Sequence, residues 1–242
     1  PGSHEPPLSL VVDDLGIYYD SSKPSRLEQL VALDLTDAMR TRAQALQLMW
    51  QQHCVSKYNA ARITNFVPQT PSVLVADQTL GDASLQGAGI ADFKHMLDAA
   101  LHTYPDCKVL LKVHPEVLAG RKQGHFDLQA LRHHPRIEIL DQALHPAELL
   151  PHMRAVFVMT SQLGFDALLW KVPVHTFGMP FYAGWGLTSD ALKTPERRHI
   201  VSLEQLIHAA LVVYPRYVHP ETGTLCTPER LIEWLGLQRR TR

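Results

Sequence analysis

Apolar and polar positions fall into two regimes along the 242 residues. In the first, Leu8 to Val12 reads as a strand that ends at Asp13-Asp14, with a turn before Gly16-Ile17-Tyr18-Tyr19. Pro24 and Ser25 open a short helix through Leu30. Thr36 begins a longer one, with Ala38, Ala45, Leu46, Met49 and Trp50 at roughly helical spacing, fading near Tyr58-Asn59. Phe66 to Pro71 holds two prolines and reads as a linker. From Ser72 the second regime begins. Val73-Leu74-Val75-Ala76 is short and wholly apolar, the mark of a strand buried on both faces. A glycine-bearing loop follows, then a helix over 91–102 with Phe93, Met96, Leu97 and Ala100 on one face. Val109–Val113, Ile137–Leu140, Ala155–Met159 and Pro173–Phe177 read as further strands, separated by helical stretches around Leu128, Glu148 and Ala167. This alternation predicts right-handed βαβ units and an α/β fold with a Rossmann-like sheet of five parallel strands. Leu203–Val213 and Pro228–Leu237 are expected to be helices packed on it.

Composition narrows the function classes. Acidic and basic residues nearly cancel, 24 against 23, for a net charge of -1, which argues against nucleic acid as a partner held by bulk charge. Cys54, Cys107 and Cys226 are too few and too scattered for a disulfide framework or a zinc site, and a reducing compartment, the cytoplasm, is the expected home. No apolar run reaches bilayer-spanning length. The basic tail Gln238-Arg239-Arg240-Thr241-Arg242 is short, so any attachment to the inner membrane is expected to be peripheral, through substrate or partner.

In parallel sheets a ligand sits outside the carboxyl ends of the strands, so the residues just after each strand carry the chemistry. Asp77, Gln78, Asp82 and Ser84 follow the first strand of the second regime. A carboxylate here is a candidate nucleophile, base or metal ligand, or else a turn cap. Lys112 and His114, before Pro115, place a cation and an imidazole at the next strand end, and His114 is a candidate phosphate donor or a histidine satisfied by a carbonyl. Thr160-Ser161-Gln162 and Gly164 open a helix, where hydroxyls and free N–H groups hold a phosphate or simply cap the helix. Asp166, one turn on, suits a ribose hydroxyl or the helix dipole. The loop 178–188 interleaves Phe181, Tyr182 and Trp185 with glycines, either as a substrate loop or packed on itself. The sequence Gly120-Arg121-Lys122-Gln123-Gly124-His125 is a basic loop or a solvated turn. There is no Gly-x-Gly-x-x-Gly after the strand and no P-loop, so no nicotinamide or flavin cofactor is expected, and no ligand spacing suggests a metal.

The order of these motifs resembles the KpsC family of capsular polysaccharide β-Kdo transferases. The residues concerned are Asp77-Gln78-Thr79 with Gly81-Asp82-Ala83-Ser84, Lys112-Val113-His114-Pro115-Glu116-Val117, Thr160 to Ala167 and Phe177 to Gly186. Pro6 to Asp13 and Pro220 to Gly223 are also similar. The resemblance implies the nucleotide-binding half of a GT-B-type glycosyltransferase with part of the preceding half. Residues 1–71 would then be the end of the acceptor-side half with linker helices, and 72–242 the CMP-sugar-binding half. It implies transfer of Kdo from CMP-Kdo, with retention, to a phospholipid-linked Kdo acceptor, alongside other capsule assembly proteins. CMP-Kdo enters as substrate, and no cofactor is implied. The donor would lie near His114-Pro115 and Thr160-Ser161. The implied mechanism is a double displacement through an aspartate, with Asp82 favoured over Asp77 because Gly81 frees the backbone before it. Proteins of this family carry two modules, each longer than this chain, so a missing first half with its acidic motif is expected. Two other readings stay open: a non-catalytic nucleotide- or sugar-binding half, and a transferase of another CMP-sugar such as sialic acid.

Overall fold

The computed structural model describes residues 7–240 apart from 58, 60–63, 65 and 143. Pro6, Tyr58 and Thr241-Arg242, named above, lie outside the described residues.

The short apolar runs become a six-stranded parallel sheet. Its strands are β2 (Ser72–Ala76), β3 (Lys108–Lys112), β4 (Ile137–Leu140), β5 (Met153–Val158), β6 (Val174–Thr176) and β7 (Ser189–Asp190), after a separate β1 (Ser9–Val11). The sheet order is β4-β3-β2-β5-β6-β7, and every neighbouring pair is parallel. The chain thus winds outward from β2 to one edge, returns to the centre at β5, and winds to the other edge, which is the doubly wound Rossmann order. Five strands were expected; the sixth, β7, has two residues and no apolar run to announce it. It is fixed by Asp190, whose carboxylate accepts from the Thr176 hydroxyl at 2.8 Å and the Gly184 N–H at 2.8 Å.

Every residue of β2 is buried. Alternation sends Val73 and Val75 to one face, where they join Val109, Leu111 and Phe157 and the Phe93, Met96, Leu97 and Ala100 stripe of α3 (Ile90–Thr103). Leu74 and Ala76 go to the other face, into a larger core. That core takes Leu27 and Val31 of α1 (Arg26–Val31) and Ala43 and Leu46 of α2 (Asp37–Gln52). It also takes much of α7 (Leu163–Leu169) and Leu206 and Ile207 of α8 (Leu203–Ile207). Segments before and after residue 71 therefore share one core. Ser25 caps α1 in a reciprocal box with Glu28, and Thr36 caps α2. Between the larger elements lie the single-turn helices α4 (Pro115–Leu118), α5 (Leu128–Leu131) and α6 (Pro146–Leu149).

The two helices expected in the tail form, with two unexpected strands between them. After a π-helical turn over His208–Val213 the chain forms β8 (Pro215–Val218) and β9 (Leu225–Cys226) before α9 (Pro228–Arg240). β1 pairs antiparallel with β8, giving a second sheet of order β1-β8-β9. The N-terminal strand is thus an edge of a three-stranded sheet built mainly from the chain's far end.

Candidate functional site

The strand order reverses between β2 and β5, so their carboxyl ends frame a crevice at the switch point. After β2 the chain places Asp77, Gln78 and the 77–84 loop there. Gly81 adopts φ +79, a left-handed conformation that strains any side chain, and this turn lets Asp82 cap the 3₁₀ turn over Ala83–Leu85. Asp82 Oδ1 accepts from the Ser84 N–H at 2.9 Å and its hydroxyl at 2.8 Å, and Oδ2 lies 3.4 Å from Gln78 Nε2. Gln78 crosses the crevice. Its Oε1 accepts from the Thr160 N–H at 3.0 Å, and its Nε2 donates to Thr160 Oγ1 at 3.1 Å. Ser84 Oγ and Thr160 Oγ1 are 2.8 Å apart. Gln78, Asp82, Ser84 and Thr160 therefore form one hydrogen-bonded cluster across the switch point.

The two aspartates differ in environment. Asp82 is exposed. What burial it has works against its charge, but the Ser84 and Gln78 donors and the positive charge of Lys57 outweigh that and hold its carboxyl below the ordinary value. Asp77 is buried, and burial pushes its carboxyl up despite donors from His125 and Gln78. His125 supplies its N–H at 3.2 Å and brings Nδ1 within 3.2 Å of Asp77 Oδ1 and 2.9 Å of Gln78 O. Asp77 accordingly ties the 77–82 loop to the 120–125 loop, and Gly124 packs so closely on it that a Cβ there would collide with the carboxylate. Its carboxylate does not open on the crevice.

At the end of β3, Lys112 Nζ donates to Leu144 O at 3.1 Å, and burial lowers the amine to about 8. His114 caps α4. Its Nδ1 accepts from the Glu116 N–H at 3.2 Å, so the neutral ring carries its proton on Nε2. Burial, aided by Lys122, lowers its pKa and keeps it neutral near pH 7. Pro115 stands at the first helical position, where its missing N–H costs nothing.

At the end of β5 the predicted residues separate. Thr160 belongs to the cluster, and Ser161 Oγ accepts from the Leu163 N–H at 3.3 Å as a cap. Gln162 Nε2 donates to the Tyr18 hydroxyl at 3.1 Å. Gly164 permits a close approach: a Cβ there would collide with the Tyr182 ring and hydroxyl, so the group that approaches is Tyr182. Asp166 is engaged by the segment before β2. It is buried, accepts from Ser56 Oγ at 2.7 Å, and burial lifts it to about 7, so it is not placed for a ribose. The aromatic loop is likewise packed on itself. Tyr182 and Trp185 are fully buried. The Tyr182 hydroxyl donates to Ser161 O, and Trp185 Nε1 donates to Phe181 O at 2.8 Å. These side chains hold the end of β5 and do not form a substrate loop.

The chain is similar to known proteins over nearly its whole length. A family model described as "Capsule polysaccharide biosynthesis protein" matches residues 6–70 and 45–217. The chain belongs to the capsule polysaccharide biosynthesis protein family. A relative in this family, "Capsule polysaccharide modification protein LipA" of Neisseria meningitidis serogroup B, is 41% identical over 97% of the chain. "Lipopolysaccharide-processing protein LpsZ" of Rhizobium meliloti is 34% identical over 98%. The chain spans 35% of the first relative's length and 55% of the second's. Among solved structures, the β-Kdo 2,4 transferase of Thermosulfurimonas dismutans KpsC superposes with a TM-score of 0.88 at 37% identity, covering 98% of this chain and 75% of that one. The KpsC β-Kdo 2,7 transferase gives 0.74 at 28%, covering 96% and 73%. The Rossmann-type parallel sheet expected from the sequence is thus shared with these two KpsC transferases.

Three residues of this family member escaped sequence reasoning. His125 sat in a loop read as basic, and its partner Asp77 is 48 residues away. Tyr18 reaches the crevice from the N-terminal segment. Lys57, exposed, lies within electrostatic reach of both Asp82 and Asp166. Each depends on a contact between distant parts of the chain, for which the local sequence carries no signal. Among the described residues no three His, Cys, Asp or Glu side chains cluster as metal ligands, and no helix is long and apolar enough to cross a membrane.

Proposed function

We propose that this chain is the donor-binding part of a capsule glycosyltransferase that moves Kdo from CMP-Kdo to a lipid-linked Kdo acceptor with retention. The observation that carries this reading is the superposition on a KpsC β-Kdo transferase over nearly the whole chain. Higher identity and TM-score to the 2,4 than to the 2,7 transferase favour a 2→4 linkage. The rest of the module and other capsule proteins are its partners, and contact with the inner membrane is peripheral, through the lipid acceptor.

In this reading His114 Nε2–H and the Thr160-Ser161 segment bind the phosphate of CMP. The amine of Lys112, partly committed to Leu144 O, adds positive charge behind them. Asp82 is the nucleophile. It is exposed and ionised, and its oxygens are oriented by Ser84 and Gln78. A carboxylate oxygen of Asp82 bonds to the anomeric carbon of Kdo as the bond to the phosphate oxygen breaks, and CMP departs with the electron pair. The acceptor hydroxyl then attacks the same carbon from the vacated side and gives its proton to a solvent base, and the Asp82 carboxylate leaves. Two inversions give retention. Asp77 keeps the loop in place.

Two measurements test this. Calorimetry with CMP and UMP reads the nucleotide, and each charge-assisted phosphate bond contributes roughly 1.5–3 kcal/mol, so His114→Ala should weaken CMP about tenfold or more. Incubation with CMP-Kdo and a Kdo-bearing lipid acceptor, with the product linkage assigned by NMR, reads the reaction. A chain that binds CMP no better than UMP overturns the donor assignment.

A further inference from the structure

Tyr18 lies on a loop that is strapped to both sides of the crevice. Asp20 N–H closes the turn on Ile17 O at 3.0 Å. On the β2 side, Gln86 accepts from Ser21 Oγ at 3.1 Å, and its amide donates to Tyr19 O at 3.1 Å and Asp20 Oδ1 at 3.0 Å. Gln86 ends the same 3₁₀ turn that Asp82 caps. On the β5 side, Gln162 donates to the Tyr18 hydroxyl. The Tyr18 ring is held edge-on by Tyr19 at 5.4 Å, Phe181 at 5.8 Å and Tyr214 at 6.3 Å between centroids. A half-buried hydroxyl is therefore fixed at the switch point by three rings and one amide, within electrostatic reach of Asp82.

That hydroxyl accepts one hydrogen bond, and among the described residues its own proton meets no acceptor. The nearby Asp82 oxygens already face Ser84 and Gln78. We propose that Tyr18 contacts the substrate directly, donating its O–H to an oxyanion of the acidic sugar nucleotide bound in the crevice. This rests on the donor reading above and adds to it a residue from the N-terminal segment. The oxyanion is either a phosphate oxygen or the sugar carboxylate. No proton is transferred: burial raises the phenol's pKa, so it remains a donor. The strap through Gln86 and Gln162 fixes its aim before any ligand arrives.

Tyr18→Phe removes the hydroxyl and keeps the three ring contacts. If the phosphate is the partner, calorimetry should show CMP binding weakened about tenfold, the scale of a lost hydrogen bond to a charged group. If the sugar carboxylate is the partner, CMP binding should hold while formation of the Kdo adduct from CMP-Kdo slows by a similar factor. If Tyr18→Phe alters neither CMP binding nor adduct formation, the proposal is overturned. A second measurement uses the unmutated protein: CMP or CMP-Kdo should protect Tyr18 from nitration by tetranitromethane, mapped by peptide mass, while the more exposed Tyr19 reports the background. Equal nitration of Tyr18 with and without both nucleotides also overturns it. A wild-type chain that binds CMP while Tyr18 proves indifferent leaves the donor reading intact; one that binds neither nucleotide removes both.

Discussion

Gln78 grips Thr160 with both ends of its amide, Oε1 on the Thr160 N–H at 3.0 Å and Nε2 on Thr160 Oγ1 at 3.1 Å. The pair joins the two strands at which the sheet reverses its winding, and both residues are buried. Gln78→Ala would leave the Thr160 N–H buried without its acceptor, at a cost of about 1–3 kcal/mol. Urea unfolding is expected to show this loss with an unchanged slope. It should come with weaker CMP binding, because the donors that would meet the phosphate lose their anchor. Wild-type stability in Gln78→Ala would mean that water replaces the amide without penalty.

Asp82→Asn keeps the shape of the nucleophile and its place beside Ser84 while removing the negative charge. Transfer and adduct formation are expected to vanish, with CMP affinity within a few-fold of wild type. The pH profile carries the same assignment. The folded carboxyl titrates below the ordinary aspartate value of 3.8, so it is ionised across the neutral range and is lost as nucleophile only when pH falls through that lowered value. Turnover by Asp82→Asn near the wild-type rate, or a Kdo adduct mapped to Asp77, would remove Asp82 from this role.

The sheet was legible because its strands are short unbroken apolar runs, and the α3 stripe because Phe93, Met96, Leu97 and Ala100 recur at helical spacing. The strand-end rule placed Gln78, Asp82, Ser84 and Thr160 at one edge of the sheet; the hydrogen bonds that join them are visible only in the structure. The rule failed where a residue's neighbours come from elsewhere in the chain. Asp166 is one turn into a helix at the right edge of the sheet, yet it faces Ser56, 110 residues away. Tyr182 and Trp185 look like an exposed aromatic loop in sequence. Their burial follows from Arg198, Gly164 and the N-terminal helix, none of which periodicity connects to them.

Arg198 explains that loop and can be tested by itself. Its guanidinium is buried over the Trp185 ring, centroid 5.6 Å away. It bonds Glu28 Oε1 at 2.7 Å and the carbonyls of Pro180 and Ala183 at 2.8 Å each. Removing it leaves Glu28 to Arg197 and the Ser25 N–H, leaves Pro180 O to the Ala183 N–H, and takes the donor from Ala183 O, so Arg198→Ala should destabilise by about 1.5–3 kcal/mol, the scale of lost hydrogen bonds to a charged group. Arg198→Lys should recover little, because an ammonium cannot match the planar fork that reaches all three partners. Thermal unfolding of the two variants checks this, and full recovery by lysine would show that charge alone suffices.

Asp166 makes stability depend on pH in a direction opposite to that of most carboxylates. Burial lifts its folded pKa to about 7, well above the 3.8 of an exposed aspartate, despite the Ser56 hydroxyl and the charge of Lys57. Between these values the unfolded chain releases the proton while the folded chain keeps it. The native state then binds more protons, so stability falls as pH rises from about 4 and levels off once pH passes about 7. The full span corresponds to a loss on the order of 4 kcal/mol. Asp166→Asn retains an oxygen to accept from Ser56 and has no proton to lose. Its stability relative to wild type is therefore expected to grow steadily from pH 4 to pH 7 and to stay constant above that. Urea unfolding of both proteins at pH 4.5, 6 and 8 measures the difference, and a difference that does not vary with pH would show that the folded and unfolded carboxyls titrate alike.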